Sequence, residues 1–112
     1  KDVDIQDLVD RRLQVAIETC VDIASHIASA LSLPGRDTAS HVFGLLGKHK
    51  IISGDLAKKF VNEIVGFRNI LVHEYAEIDH NIVYDVKVNK LKDLRLFAKE
   101  IMIFLEKNPK IQ

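Results

Sequence analysis

Residues 5–35 read IQDLVDRRLQVAIETCVDIASHIASALSLPG. Within that stretch Ile5, Val9, Leu13, Ile17, Cys20, Ala24, Ile27 and Leu31 recur every three or four residues. That spacing lines one side of a helix. It predicts one long amphipathic helix with a narrow apolar seam, broken by Pro34-Gly35. A seam on one side must be covered, and the rest of the chain offers more helices to cover it. A shorter one is expected from about Thr38 to His49, carrying Val42, Leu45 and Leu46. Ser53-Gly54-Asp55 then reads as a cap, a side-chain acceptor followed by an acidic group in the first turn. The third helix runs from there to about Val72 or His73. Asp79 can cap a fourth that continues to about Lys107, with Val83, Val86, Leu91, Leu94, Ala98, Ile101 and Leu105 as apolar positions and Pro109 just beyond. Nothing alternates with the period of a strand. Four helices with short connections imply an all-α fold, an antiparallel four-helix bundle.

The chain has 112 residues, so one domain spanning 1–112 is expected. Its 47% hydrophobic content argues against disorder. No apolar run approaches the roughly 20 residues of a membrane helix, so no membrane partner is expected. The one cysteine, Cys20, cannot form an internal disulfide, which suits a reducing compartment and a cytoplasmic location. No signal peptide is visible, although the chain begins at Lys1 without Met. Lys plus Arg is 16 and Asp plus Glu is 16. Neither half of the chain has the basic excess of a non-specific nucleic-acid binder. Any contact with RNA must be local, made by a few placed cations.

The third helix has more apolar face than a monomer's core requires. One stripe is Leu56, Phe60, Ile64, Phe67 and Leu71; a second is Ala57, Val61, Val65 and Val72, about 100° away on an ideal helix. A homodimer is the economical cover for the second stripe; a wide core-facing helix in a monomer is the alternative.

Arg68 interrupts the second stripe between Val65 and Val72. A guanidinium there snorkels, pairs with a carboxylate, or receives an anionic ligand. It opens the string Arg68-Asn69-Ile70-Leu71-Val72-His73-Glu74-Tyr75. Asn69 and His73 are four apart and share a helical face. Arg68 and His73 are five apart, roughly 140° around an ideal helix. They converge only if the helix ends or loosens near His73, or if a second copy brings its own motif across a two-fold axis. The residue types suit phosphodiester cleavage without metal. Histidine takes and gives a proton near neutrality. Arginine binds phosphate bidentately and stabilises charge growing on its oxygens. RNA supplies its own nucleophile, the 2′-hydroxyl. For a lone helix-terminal histidine, attraction to the helix dipole is the competing explanation.

Arg68, Asn69, His73 and Tyr75 match the Arg-x4-His-x-Tyr signature, and the chain resembles the HepT-like toxins of the HEPN superfamily, once a domain of unknown function. The blocks Val65-Gly66-Phe67-Arg68-Asn69 and Val72-His73-Glu74-Tyr75 resemble the family's most recognisable stretch. Cys20 to His26 and Phe43-Gly44-Leu45-Leu46 are similar to its first and second helices. The resemblance implies a HEPN-type bundle, a homodimer whose motifs line a shared cleft, and a metal-independent RNase toxin using Arg68 and His73. It implies no cofactor, substrate positioning by Asn69, Asp22 and His26, and an antitoxin partner, a minimal nucleotidyltransferase of the MntA type. That partner transfers adenylate from ATP to the motif tyrosine, Tyr75 here (AMPylation). A second function stays open: a catalytically silent HEPN subunit that binds a nucleotidyltransferase and a nucleotide.

Other residues carry less. Asp22 and His26, at i and i+4, can hydrogen-bond on one helix face or stand solvated. His41, His49 and His80 have no spacing that closes a metal site, so none is expected. Lys48, Lys50, Lys58 and Lys59 can help hold an RNA backbone or remain ordinary surface lysines. Asp7 and Arg11 are expected to pair, and Cys20 to be core rather than nucleophile.

Overall fold

The computed structural model describes residues 2–64 and 80–111, and within them the side chains of Ile5, residues 7–63 and residues 88–111. Helix α1 spans Asp2–Ala30. Its 29 residues make a rod about 43 Å long. It ends before the proline, at Ser32, whose φ of 54° is left-handed. The Ser32 amide donates to the Ser29 carbonyl (3.0 Å) and the Leu33 amide to the Ala28 carbonyl (2.9 Å). These two bonds are a Schellman closure, completed by burial of Leu33 against the core. Helix α2, Ala39–Lys48, closes the same way. Lys50 has φ 59°, its amide donates to Gly47 (3.1 Å), and the buried Ile51 donates to Leu46 (2.9 Å).

Two helix starts are closed by side-chain hydroxyls, at Thr38, where the second helix is expected to begin, and at Ser53, the expected cap. The Thr38 hydroxyl accepts from the His41 amide at 3.1 Å, opening α2. The Ser53 hydroxyl accepts from the Leu56 amide at 3.2 Å, opening α3, Gly54–Lys59. Helix α4 spans His80–Lys107, with a 3-10 turn at Pro109–Ile111. The expected cap Asp79 lies outside the described residues.

The third helix differs from its expectation. After Lys59 the chain passes into a π-helical turn, Phe60–Ile64. A π turn takes more than 3.6 residues, so the two stripes laid out on an uninterrupted α-helix do not continue in phase through it. The second stripe also begins inside the chain. Ala57 is buried, Val61 packs on the core, and a Cβ added to Gly47 would lie 2.4 Å from the Ala57 Cβ. Val65, Phe67, Leu71 and Val72 lie outside the described residues.

The bundle is all-α among the described residues, with α1 packing on α2 and α4. Its centre is three phenylalanines from three elements. Phe43 and Phe60 stand 4.5 Å apart by ring centroid, Phe60 and Phe97 5.1 Å, Phe43 and Phe97 5.8 Å. Such offset and edge contacts add to the area term for each ring. Around them Ile17, Ala24, Ala28, Leu46 and Leu56 are buried. Contacts between α3 and α4 run in opposite sequence directions: Ser53 to Glu100, Lys59 to Asp93, Glu63 to Lys90. These two helices are therefore antiparallel, as are α2 and α3, where Phe43 meets Phe60 and Gly47 meets Ala57.

The seam of α1 is shorter than its periodicity suggested. The seam positions Leu13, Ile17, Cys20, Ala24 and Ile27 are buried as expected, but Ile5 is 63% exposed, Val9 46% and Leu31 36%. Core-facing positions on α4 are Lys90, Asp93, Leu94, Phe97 and Ile101; Leu91 and Ala98 point outward. Asp7 and Arg11 are exposed and not ion-paired. No helix among the described residues is long and apolar enough to cross a membrane.

Candidate functional site

The expected site residues fall in two groups. Arg68, Asn69, His73 and Tyr75 lie outside the described residues. Asp22 and His26 are described, and both are exposed on α1 one turn apart. No hydrogen bond joins them, so the pairing allowed by their spacing does not form. Both remain open to a ligand.

Side chains of the core and of α4 hold the segment that precedes the motif in sequence. Phe60, fully buried, anchors the π turn in the core, and Val61 packs beside it. At the far end of that turn Glu63 is ion-paired with Lys90 of α4. One turn back, Lys59 Nζ lies 3.4 Å from Asp93 Oδ1. Lys90 and Asp93 are each only 8% exposed, whereas their partners on α3 and the π turn are half-exposed. Two buried charges of opposite sign on α4 thus hold the element leading into the motif. The hydrogen bond from Lys90, and then its charge, hold the Glu63 carboxyl below the usual glutamate range. Sequence reasoning missed this latch. Lys90 and Asp93 sit on the core-facing side of α4, where spacing alone assigns hydrophobes.

Two concavities flank α3. One, about 290 Å³, is lined by Lys50, Ser53, Glu100 and Lys107. Its polar end is satisfied within the chain, because the Ser53 amide donates to Glu100 Oε1 at 2.6 Å. The other is an open groove of about 390 Å³ between α2 and α3, lined by Gly44, Gly47, Lys48, Ala57, Lys58 and Asn62 among others.

Two other titratable groups among the described residues are shifted by their surroundings, Cys20 and Asp37. Burial pushes the Cys20 thiol up to about 11, so its thiolate is scarce at neutral pH and it packs as a core residue. His41 Nδ1 lies 2.8 Å from Asp37 Oδ1 beside the α2 cap, and that contact lowers the Asp37 pKa. Among the described residues no cluster of His, Cys, Asp or Glu is arranged to hold a metal.

Comparison with known proteins bears on the part of the site that lies outside the described residues. Residues 1–101 match the family described as Ribonuclease HepT-like. The chain is 35% identical over 101 residues to the mRNA nuclease HepT of Shewanella oneidensis, which covers 90% of this chain and 75% of that protein. It is 35% identical over 98 residues to the tRNA nuclease HepT of Aphanizomenon flos-aquae, covering 88% of this chain and 66% of that protein. The chain therefore spans about two thirds to three quarters of the length of these relatives.

Proposed function

The chain belongs to the HepT-like ribonuclease family, and on that premise we propose that it is a metal-independent ribonuclease toxin with Arg68 and His73 as its catalytic pair. The observation that carries the reading is the string Arg68-Asn69-Ile70-Leu71-Val72-His73-Glu74-Tyr75, which lies inside the matched span. The two relatives are named for different RNAs, so RNA as a class is the proposed substrate.

In this mechanism neutral His73 accepts the proton of a ribose 2′-hydroxyl. The 2′-oxygen bonds to the adjacent phosphorus, and Arg68 stabilises the charge growing on the phosphoryl oxygens. The phosphorus–5′-oxygen bond breaks, and the proton returns to the leaving 5′-oxygen. The products are a 2′,3′-cyclic phosphate and a 5′-hydroxyl end. Asn69, Asp22 and His26 position the substrate, and the exposure of Asp22 and His26 supports that role. The 1–112 chain acts here as one helical domain in the cytoplasm, where RNA is at hand. It forms a two-fold homodimer that brings two motifs to one cleft, since Arg68 and His73 diverge on a straight helix. A minimal nucleotidyltransferase antitoxin silences it by adenylating Tyr75.

The test is incubation of purified chain with RNA, with and without EDTA, followed by end-group analysis. Cleavage that resists EDTA and leaves cyclic phosphates supports the mechanism. No cleavage, with tight binding to a nucleotidyltransferase, favours the silent-subunit alternative. Native mass at high concentration tests the dimer, and a monomer there removes it.

A further inference from the structure

We propose that the groove between α2 and α3 seats the sugar–phosphate backbone of RNA, an inference that rests on the ribonuclease reading and adds a binding surface to it. Three observations support it. First, the groove carries unspent positive charge. Lys48 and Lys58 line it, and among the described residues no carboxylate does and neither lysine is ion-paired. Their neighbours differ: Lys59 is held by Asp93 and Lys90 by Glu63. In a chain of zero net charge, two unpaired ammonium groups along one groove are a local attraction for phosphate.

Second, Gly44 lies in the interior of α2, where glycine weakens a helix relative to alanine. Gly47, one turn on, has a packing reason, since an added Cβ would collide with Ala57. Gly44 has none among the described residues: nothing there lies within 4 Å of a Cβ built on it. The space above it is open to an incoming molecule. Third, the groove ends at Val61 and Asn62, on the π turn and only a few residues before Arg68 in sequence. Its floor of glycine and alanine offers close backbone approach but few large apolar anchors of the kind a protein partner buries. Small floor, cationic sides and proximity in sequence to the motif fit a polyanionic strand.

The experiment uses a single-stranded RNA oligonucleotide of mixed sequence. Binding is read in a His73→Ala background so that the probe survives. Lys48→Gln with Lys58→Gln should raise the Kd roughly tenfold. It should also make the slope of log K against log salt shallower by about 1.4, at about 0.7 per lost phosphate contact on a single strand. Gly44→Glu places a negative charge in open space, so it should weaken binding while circular dichroism and melting stay near wild type. In the otherwise native chain the double variant should raise KM with kcat within about twofold, since the chemistry is elsewhere. Lys110→Gln, outside the groove, should match wild type. Unchanged Kd, salt slope and KM in the folded double variant overturn the proposal. So does a change in native mass without a change in RNA binding, which assigns the groove to a protein contact. If the wild-type chain cuts no RNA, the nuclease reading fails by itself, and the binding measurements still decide the groove.

Discussion

The buried ammonium of Lys90 on α4 is ion-paired with the carboxylate of Glu63, the penultimate residue of the π turn that leads into the Arg68–Tyr75 string. The two partners are unequal, because Lys90 is buried and Glu63 is half-exposed. Removing Glu63 leaves a buried charge without its partner, whereas removing Lys90 leaves a carboxylate that water can solvate. Glu63→Gln should therefore cost about 1–2 kcal/mol of stability, and Lys90→Met less than about 1 kcal/mol. Urea unfolding of both variants checks the order, and equal losses would contradict it. The Glu63 pKa is lowered in the folded chain, so its contribution is present above the ordinary glutamate range and lost as pH falls through and below it. The gap between wild type and Glu63→Gln should close as pH falls through and below the ordinary glutamate range.

Gly47 and Gly44 sit one turn apart on α2 and should respond oppositely to alanine. At Gly47 the added methyl would stand 2.4 Å from the Ala57 Cβ, so α2 and α3 must move apart. The expected loss is about 1–3 kcal/mol. At Gly44 the methyl meets nothing among the described residues, and the helix should gain about 0.5–1 kcal/mol. Calorimetric melting of both variants is the check, and a stabilised Gly47→Ala would show that the helices are spaced differently.

Lys50 occupies the left-handed corner that closes α2, a conformation that strains any residue with a Cβ. Lys50→Gly should raise stability by about 1 kcal/mol, measured as a shift in the urea midpoint at constant slope. No gain would mean that the lysine side chain compensates the strain.

The parts of the fold legible in the sequence are those governed by neighbours along the chain. The Ser53 cap, the start of α2 near Thr38 and the buried seam positions Leu13, Ile17, Cys20, Ala24 and Ile27 follow from local spacing and side-chain acceptors. The α1 stop at Ser32 was placed slightly late, at Pro34-Gly35, because the left-handed residue there is not a glycine. What escaped depends on partners far away in sequence. Phe97 faces Phe43 and Phe60, and Lys90 and Asp93 turn inward because α3 and the π turn present Glu63 and Lys59 opposite them. The π turn has no marker in residue type, and it upsets any angular reading carried past Phe60. For the site the balance is reversed. The Arg68, His73 and Tyr75 pattern is read from sequence alone, while the structure contributes the exposed Asp22 and His26 and the latch that precedes the motif.

Tyr75 is the proposed control point. An adenylate on its hydroxyl would add a phosphodiester anion two residues from His73 in sequence, able to occupy the guanidinium that substrate phosphate requires. Incubation with ATP and a cognate minimal nucleotidyltransferase should add adenylate mass to the wild-type chain and none to Tyr75→Phe, by intact mass spectrometry. Tyr75→Phe should keep its nuclease activity and escape neutralisation. An equal mass gain on both chains would remove Tyr75 from this role.

Arg68 and His73 are proposed to cut RNA through its own 2′-hydroxyl. The measurement that tests it most directly is the 3′-end chemistry and rate of RNA cleavage by the purified wild-type chain, Arg68→Ala and His73→Ala in the presence of EDTA. Wild type should leave 2′,3′-cyclic phosphate ends, and each folded variant should lose at least about 100-fold in rate, the scale of general acid–base and electrostatic contributions. Cleavage by His73→Ala at the wild-type rate, or activity abolished by EDTA, would contradict it.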